Sequence, residues 1–288
     1  MNTTQMAARA IAVAGLSLAV VGCGRKFYDP HPTPDAEVVA MLRAGGGGAA
    51  TADAAASTGT GWATLKGQFV LDGDAPSLPA ISTAGKDPLC PATVPDQSLI
   101  VDSGTKGIAN VLVFARKVSR VFKPEDGSQP APPAFDQDKC LFLTHVLATR
   151  VADPLSIKNS DAVLHNTNVS PTGNPAFNQS LPPKTDATYK FNKQLSLPAE
   201  VVCNIHPWMK GYIFSRDDPY FAVTGKDGTF EIKNLPAGEE IEFQVWQEKA
   251  PTGLTAAPLV SRGRFKLTLE ADQTKDVGPI SVPAATFN

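Results

Sequence analysis

Side chains able to carry chemistry are scarce in this chain: its 288 residues hold four cysteines, four histidines and four methionines. There is no Cys-x-x-Cys-His run, so a c-type haem has no attachment point. No two histidines stand as His-x-His, which excludes the clustered imidazoles of a multicopper oxidase. A Gly-rich phosphate loop is missing as well. Nor is there an excess of one charge: 26 basic residues against 28 acidic give a net charge of −2. That balance builds in no general attraction to nucleic acid or to an acidic membrane surface. Beyond the N-terminal region, long apolar stripes at helical spacing are also lacking.

Turn formers, by contrast, are plentiful: 23 glycines and 25 prolines make up about one residue in six. Between them lie short runs rich in β-branched and aromatic residues, among them Trp62–Leu71, Ile108–Arg116, Leu141–Thr149, Glu200–Cys203, Thr229–Lys233 and Glu240–Trp246. Several alternate with period two; Phe230 and Ile232, for instance, share one face. Asp72-Gly73, Asp227-Gly228 and Ala237-Gly238 supply turns. The pattern predicts an all-β chain, an antiparallel Greek-key sandwich or barrel, and the length allows one large or two modest domains.

The N-terminal region reads differently. Arg9 precedes an apolar run from Ala10 to Val21, too short for a comfortable membrane span and laid out like a secretory signal. It ends in Val20-Val21-Gly22-Cys23, which resembles the lipobox of bacterial lipoproteins. The resemblance implies a signal peptide over residues 1–22 and a lipid on Cys23, with Gly24 pointing to the outer membrane if the cell is Gram-negative. Residues 23–61 are rich in Gly, Ala and Thr and poor in large apolar side chains, so they read as a flexible tether with a reach of roughly 35 Å. His31 lies in that tether and is assigned no role.

The densest chemistry sits in Cys203-Asn204-Ile205-His206-Pro207-Trp208-Met209, where a thiolate, an imidazole and a thioether recur at three-residue intervals after a strand. Thiolate and thioether are soft ligands and imidazole is borderline; two imidazoles, one thiolate and a distant Met make a blue-copper set. Asp161-Ala162-Val163-Leu164-His165-Asn166 can supply the second imidazole. The loop resembles that of the amicyanin family, and Leu164-His165-Asn166 is similar to the upstream ligand segment of plastocyanin-type cupredoxins. The resemblance implies a cupredoxin-type sandwich holding one type 1 copper through His165, Cys203, His206 and Met209. Asn166 would tie the upstream strand to the cysteine loop, and the edge of His206, ringed by Pro207 and Trp208, would be the electron port. Where the amicyanin pattern has proline, this chain has Ile205, whose N–H is expected to be a second donor to the Cys203 sulfur. The role of Asn204 is left open.

With Cys23 assigned to lipid and Cys203 to metal, Cys90 and Cys140 remain as a disulfide pair, closing a loop worth about 4 kcal/mol on the chain-entropy model. His145 reads as a core or surface histidine, with an auxiliary ligand as the alternative. Residues 224–239 resemble the transthyretin-like sandwich of carboxypeptidase regulatory domains, so residues 62–215 are expected to form the cupredoxin-like domain and 216–288 a smaller β segment; whether that segment is a separate lobe or takes strand Trp62–Leu71 into its sheet is left open. The whole implies an exported, lipid-anchored, non-enzymatic carrier of single electrons that docks briefly with redox protein partners, with no nucleic acid and no small-molecule substrate. The alternatives are a copper storage or delivery protein, or a structural envelope lipoprotein with a vestigial metal site.

Overall fold

A computed structural model describes residues 60–128, 131, 134–250 and 253–287. The expected signal, the Cys23 lipid site and nearly all of the tether lie outside these residues. Among the described residues the chain is built of strands, with one short 3₁₀ turn at Ala284–Phe287. No helix among them is long and apolar enough to cross a membrane. The first strands are β1 (Trp62–Asp72), β2 (Ile81–Ser82), β3 (Thr93–Val94), β4 (Leu112–Ala115), β5 (Ala134–Asp138) and β6 (Leu141–Phe142). There follow β7 (Val146–Arg150), β8 (Leu155–Asn159), β9 (His165–Val169), β10 (Phe177–Leu181), β11 (Thr185–Tyr189) and β12 (Ala199–Val202). The last are β13 (Lys210–Arg216), β14 (Phe221–Val223), β15 (Thr229–Pro236), β16 (Glu240–Trp246), β17 (Arg264–Thr268) and β18 (Thr274–Pro283).

Two apolar cores organise them. The first lies between the sheet β15-β1-β18 and the sheet β14-β4-β16-β17. Alternation along β1 turns Leu65, Phe69 and Leu71 inward, where Phe230, Ile232, Phe243 and Ile280 meet them. Gly67 falls on the same face, where a Cβ would collide with the Phe230 ring and Val277, so glycine is the residue that fits. The second core lies between β10-β9-β12-β13-β7 and β11-β8-β5-β6, and contains Phe135, Phe142, Ile157, Val201, Met209 and Ile213. Strand β4 serves both: Val113 and Ala115 enter the first core, while Leu112 and Phe114 enter the second. A strand buried on both faces needs an unbroken apolar run, and Leu-Val-Phe-Ala supplies it.

This topology corrects one expectation, that the sheets are antiparallel. The sheets are mixed, since β1–β18, β7–β13 and β5–β8 pair in parallel. Parallel neighbours cannot be joined by a tight hairpin, and here the connections run through strands of other sheets. The boundary at residue 215 is also crossed by strand pairing. β1 bonds to β15 and β18, and β4 to β14 and β16, because only those strands present the apolar faces that complete the first core.

Candidate metal centre

The centre is assembled at one end of the five-stranded sheet. Strands β12 and β13 form a hairpin whose register, Val202 opposite Lys210, continues into a bond from Cys203 N–H to the Met209 carbonyl at 3.2 Å. The Met209 N–H donates to the His206 carbonyl at 2.8 Å, so the segment from Cys203 to Met209 is closed by its own backbone. On the other side β12 pairs with β9, Val202 opposite Asn168, which brings the start of β9 beside the loop. His165, Cys203 and His206 thus come together although 38 residues separate the first two in sequence, and their ligand atoms lie within 4.8 Å of one another. Met209 is fully buried in the second core beneath them.

Asn166 stitches the two elements together. Its N–H donates to the Cys203 sulfur at 3.4 Å, and its side-chain oxygen accepts the Asn204 N–H at 2.5 Å. Asn204 in turn accepts a bond from Asn168 at 3.2 Å. Among the described residues, the Asn166 N–H is the backbone donor to this sulfur. The expected bond from Ile205 is absent: Ile205 stands at the outer edge of the loop, 43% exposed, and its amide makes no hydrogen bond to Cys203.

The histidine tautomers follow from their partners. His165 Nε2 lies 2.9 Å from Asp161 Oδ2, and His206 Nε2 lies 3.2 Å from Asp87 Oδ2. Ionised carboxylates only accept, so each Nε2 is the donor and each Nδ1 carries a lone pair. Those Nδ1 atoms face each other at 2.9 Å, with the Cys203 sulfur 3.8 Å from that of His206. Two lone pairs and a sulfur converging in a buried space call for a cation between them. A metal there would be held by His165 Nδ1, His206 Nδ1 and the Cys203 sulfur. Burial holds the His165 imidazole below its ordinary pKa despite the raising effect of Asp161, which favours the neutral, ligating form. Asp161 is pushed up by burial, but bonds from His165 and from the Cys140 and Ala162 amides outweigh this and hold it below the usual carboxylate range. Carboxylates that orient ligating imidazoles are a recurrent second layer of metal sites.

Cys90 and Cys140 form a disulfide with an S–S distance of 2.00 Å. It lies beside the centre, fastening residues 83–92 across His206 as a strap. Because of this strap, the expected electron port is corrected: His206 is 1% exposed, its outer edge capped by Asp87, while Pro207 is exposed and Trp208 half-buried. The Trp208 ring sits 5.0 Å from that of His206, donates to the Cys140 carbonyl at 3.0 Å, and has the Lys86 ammonium 5.5 Å above it. His145 takes no part in the ligand cluster. It is buried on β7's approach, where its Nε2 bonds to the equally buried Glu248.

Asp87, Asp161 and the strap were missed by sequence reasoning. The only signals were proximity: Asp161 stands four residues before His165, and Asp87 three before Cys90.

No protein-family model matches the chain, and no curated protein matches it. Among solved structures, a reduced amicyanin variant is similar at 18% identity over 36% of this chain and 98% of its own, with a TM-score of 0.27. Amicyanin from Paracoccus versutus matches at 16% identity over 36% of this chain and 97% of its own, TM-score 0.27. A Cu-containing nitrite reductase from Thermus scotoductus SA-01 matches at 23% identity over 31% of this chain and 23% of its own, also at 0.27.

Proposed function

We propose that the chain is a mononuclear copper protein that carries single electrons, with His165, Cys203 and His206 as principal ligands and Met209 as the weaker fourth. The observation that carries this reading is the convergence of two imidazole lone pairs and one buried sulfur. Two borderline nitrogens with a soft sulfur are a donor set suited to copper. Copper would supply a one-electron couple there. The chain's own residues do the rest: Asp161 and Asp87 fix the ring orientations, and the Asn166 N–H draws charge from the sulfur. The closed hairpin loop holds the donors in place, so a change of charge needs little rearrangement. With the His206 edge covered, Trp208 is the route between surface and centre, and its half-exposed ring beside Pro207 offers a small docking site for a redox protein. No step requires a substrate, so the reading is of a carrier and not an enzyme.

We also propose export and lipid anchoring through Cys23, on the strength of the lipobox-like sequence; a disulfide beside the centre suits an oxidising compartment. Titration with Cu(II) is the test of the centre: one equivalent should give an intense visible thiolate-to-copper absorption that disappears in Cys203→Ser. A colourless protein overturns the reading.

The covered edge of His206 favours a second reading, copper holding or delivery, in which slow exchange matters more than fast electron transfer. Electron exchange with a small soluble complex separates the two. Fast exchange in the wild type supports the carrier; exchange that becomes fast only in Asp87→Ala supports the holding role.

A further inference from the structure

Three overlapping groups of ligand atoms meet at this end of the sheet. His165, Cys203 and His206 form one; Cys90, Cys140 and His206 the second; Cys140, Asp161 and His165 the third; within each, the atoms lie within 4.8 Å of one another. The second group holds two sulfurs that the proposed copper site does not use. In the disulfide they are uncharged and poor ligands. As thiolates they form a soft donor pair, the kind that selects monovalent copper. We propose that reduction of Cys90–Cys140 opens a second, Cu(I)-selective site next to the first, with the two thiolates as its ligands and His206 kept as a ligand of the first.

The local structure is built to keep those two sulfurs together when the bond between them is gone. Cys140 sits with Lys139 in the tight β5–β6 turn at φ values of 58° and 52°, a left-handed conformation that non-glycine residues adopt at a cost. It is held there by its N–H donating to Asp161 at 2.8 Å and by its carbonyl accepting from Trp208 at 3.0 Å. Cys90 is carried by the strap, and the strap has fastenings other than the disulfide. The Thr83 N–H bonds to the Ala92 carbonyl at 3.1 Å, β2 pairs with β3, Asp87 bonds to His206, and Lys86 lies over Trp208. Reduction therefore leaves both thiols in position.

The reductant is a dithiol. Cys140 is 1% exposed and Cys90 half-buried on the outer strap, so the incoming thiolate attacks the Cys90 sulfur and Cys140 departs as the thiolate. The second thiol of the reductant then attacks the mixed disulfide and frees Cys90. One S–S bond is broken in the protein and one formed in the reductant; two electrons and two protons pass to the cysteines. On binding Cu(I) both thiols release their protons to solvent. The protein would then hold one copper when oxidised and two when reduced.

Only the first equivalent rests on the function proposed above, and the test keeps the two apart. The full chain, oxidised or reduced with a phosphine that is then removed, is titrated with Cu(I) against a colorimetric chelator. Wild type should bind one equivalent oxidised and two reduced, Cys203→Ser none oxidised and one reduced, and Cys90→Ser/Cys140→Ser one under either condition. Alkylation followed by mass analysis should modify Cys90 and Cys140 in the reduced metal-free protein and neither in the reduced, loaded protein. Equal stoichiometry in oxidised and reduced wild type overturns the proposal. So does loss of the near-ultraviolet dichroism on reduction, since the thiols are then no longer held beside His206. Oxidised wild type that binds nothing, with one equivalent gained on reduction, supports the second site and refutes the first.

Discussion

The two cores differ in what their buried polar groups bond to. In the first, Thr224 and Gln247 are buried but serve the backbone: the Thr224 hydroxyl donates to the Ile108 carbonyl at 2.7 Å and accepts the Val111 N–H at 2.9 Å, and Gln247 donates to the Ser98 carbonyl at 2.8 Å. At the site end of the second, buried polar side chains also bond to one another, as His165 does to Asp161 at 2.9 Å, while others brace the backbone around the site. Asn159 donates to the Val163 and Leu181 carbonyls, each at 2.8 Å, and accepts the Asp161 N–H at 2.9 Å, fixing the turn that presents Asp161 to His165. Gln137 beneath it donates to Thr167 at 3.0 Å and leaves its own Oε1 without a partner. Buried polar groups are costly unless satisfied. The first core therefore spends its apolar surface on stability, and the second carries a network whose free lone pairs end at the ligand cluster.

This division is open to a direct attack. Phe243 is fully buried in the first core and stacks on Phe265 with ring centroids 4.9 Å apart. Phe243→Ala should lower the unfolding free energy by about 3–5 kcal/mol, measured by denaturant titration. Copper bound per folded molecule should not change. If affinity falls in step with stability, the cores are not separable and the comparison fails.

Alkaline pH probes both cores. Burial pushes the Tyr220 hydroxyl up to about 12, partly offset by the Phe122 N–H that it accepts at 2.9 Å. The folded state thus keeps a proton that the unfolded chain loses near pH 10. The folded form binds more protons between these values, so stability falls as pH rises from about 10 towards 12, by up to about 2 kcal/mol for this group. Burial also pushes Tyr212, in the second core, up to about 12. Tyr220→Phe should accordingly reduce the alkaline slope in a series of unfolding curves; an unchanged slope would place the sensitivity at other raised groups, among them Tyr212, Tyr189 and Lys210, all on strands of the second core's sheets.

The sequence announced the first core better than the second. The strand Glu240–Trp246 was legible to the residue because apolar alternation defines it. Strand β9, His-Asn-Thr-Asn-Val, and β10, Phe-Asn-Gln-Ser-Leu, were not, because their polar residues serve the site or face solvent and carry no periodic signal. Strand β18 was hidden by Gly278 and Pro279, which read as turn formers but fall where its register against β1 shifts. The residues drawn together as ligands were legible from chemistry and spacing. Their carboxylate partners were not, since Asp87 reaches His206 across 119 positions of sequence.

Those partners give a smaller and more selective effect. Asp161→Asn keeps the shape but replaces an obligatory acceptor with an amide that can present either end to His165 Nε2, so the orientation of the ring is no longer enforced. Loss of such an outer partner typically costs 10–100-fold in metal affinity. That loss should appear in chelator competition, whereas the first-core variant should show none. An unchanged affinity would mean that the hairpin alone orients the imidazoles.

The smallest effect is expected at Ile205, and it bears on what the loop contributes. A backbone N–H aimed at a ligating sulfur stabilises the reduced, more electron-rich centre and raises the reduction potential, so the donor that matters is the one that reaches the sulfur. That donor is Asn166, on β9, at 3.4 Å, whereas the Ile205 amide makes no such bond. Ile205→Pro therefore removes a donor the sulfur does not use, and voltammetry should find its potential within replicate scatter of the wild type. A clearly lower potential in the proline variant would show that the loop turns its amide inward when the metal binds. Charge on the sulfur would then be controlled by the hairpin itself and not by the neighbouring strand.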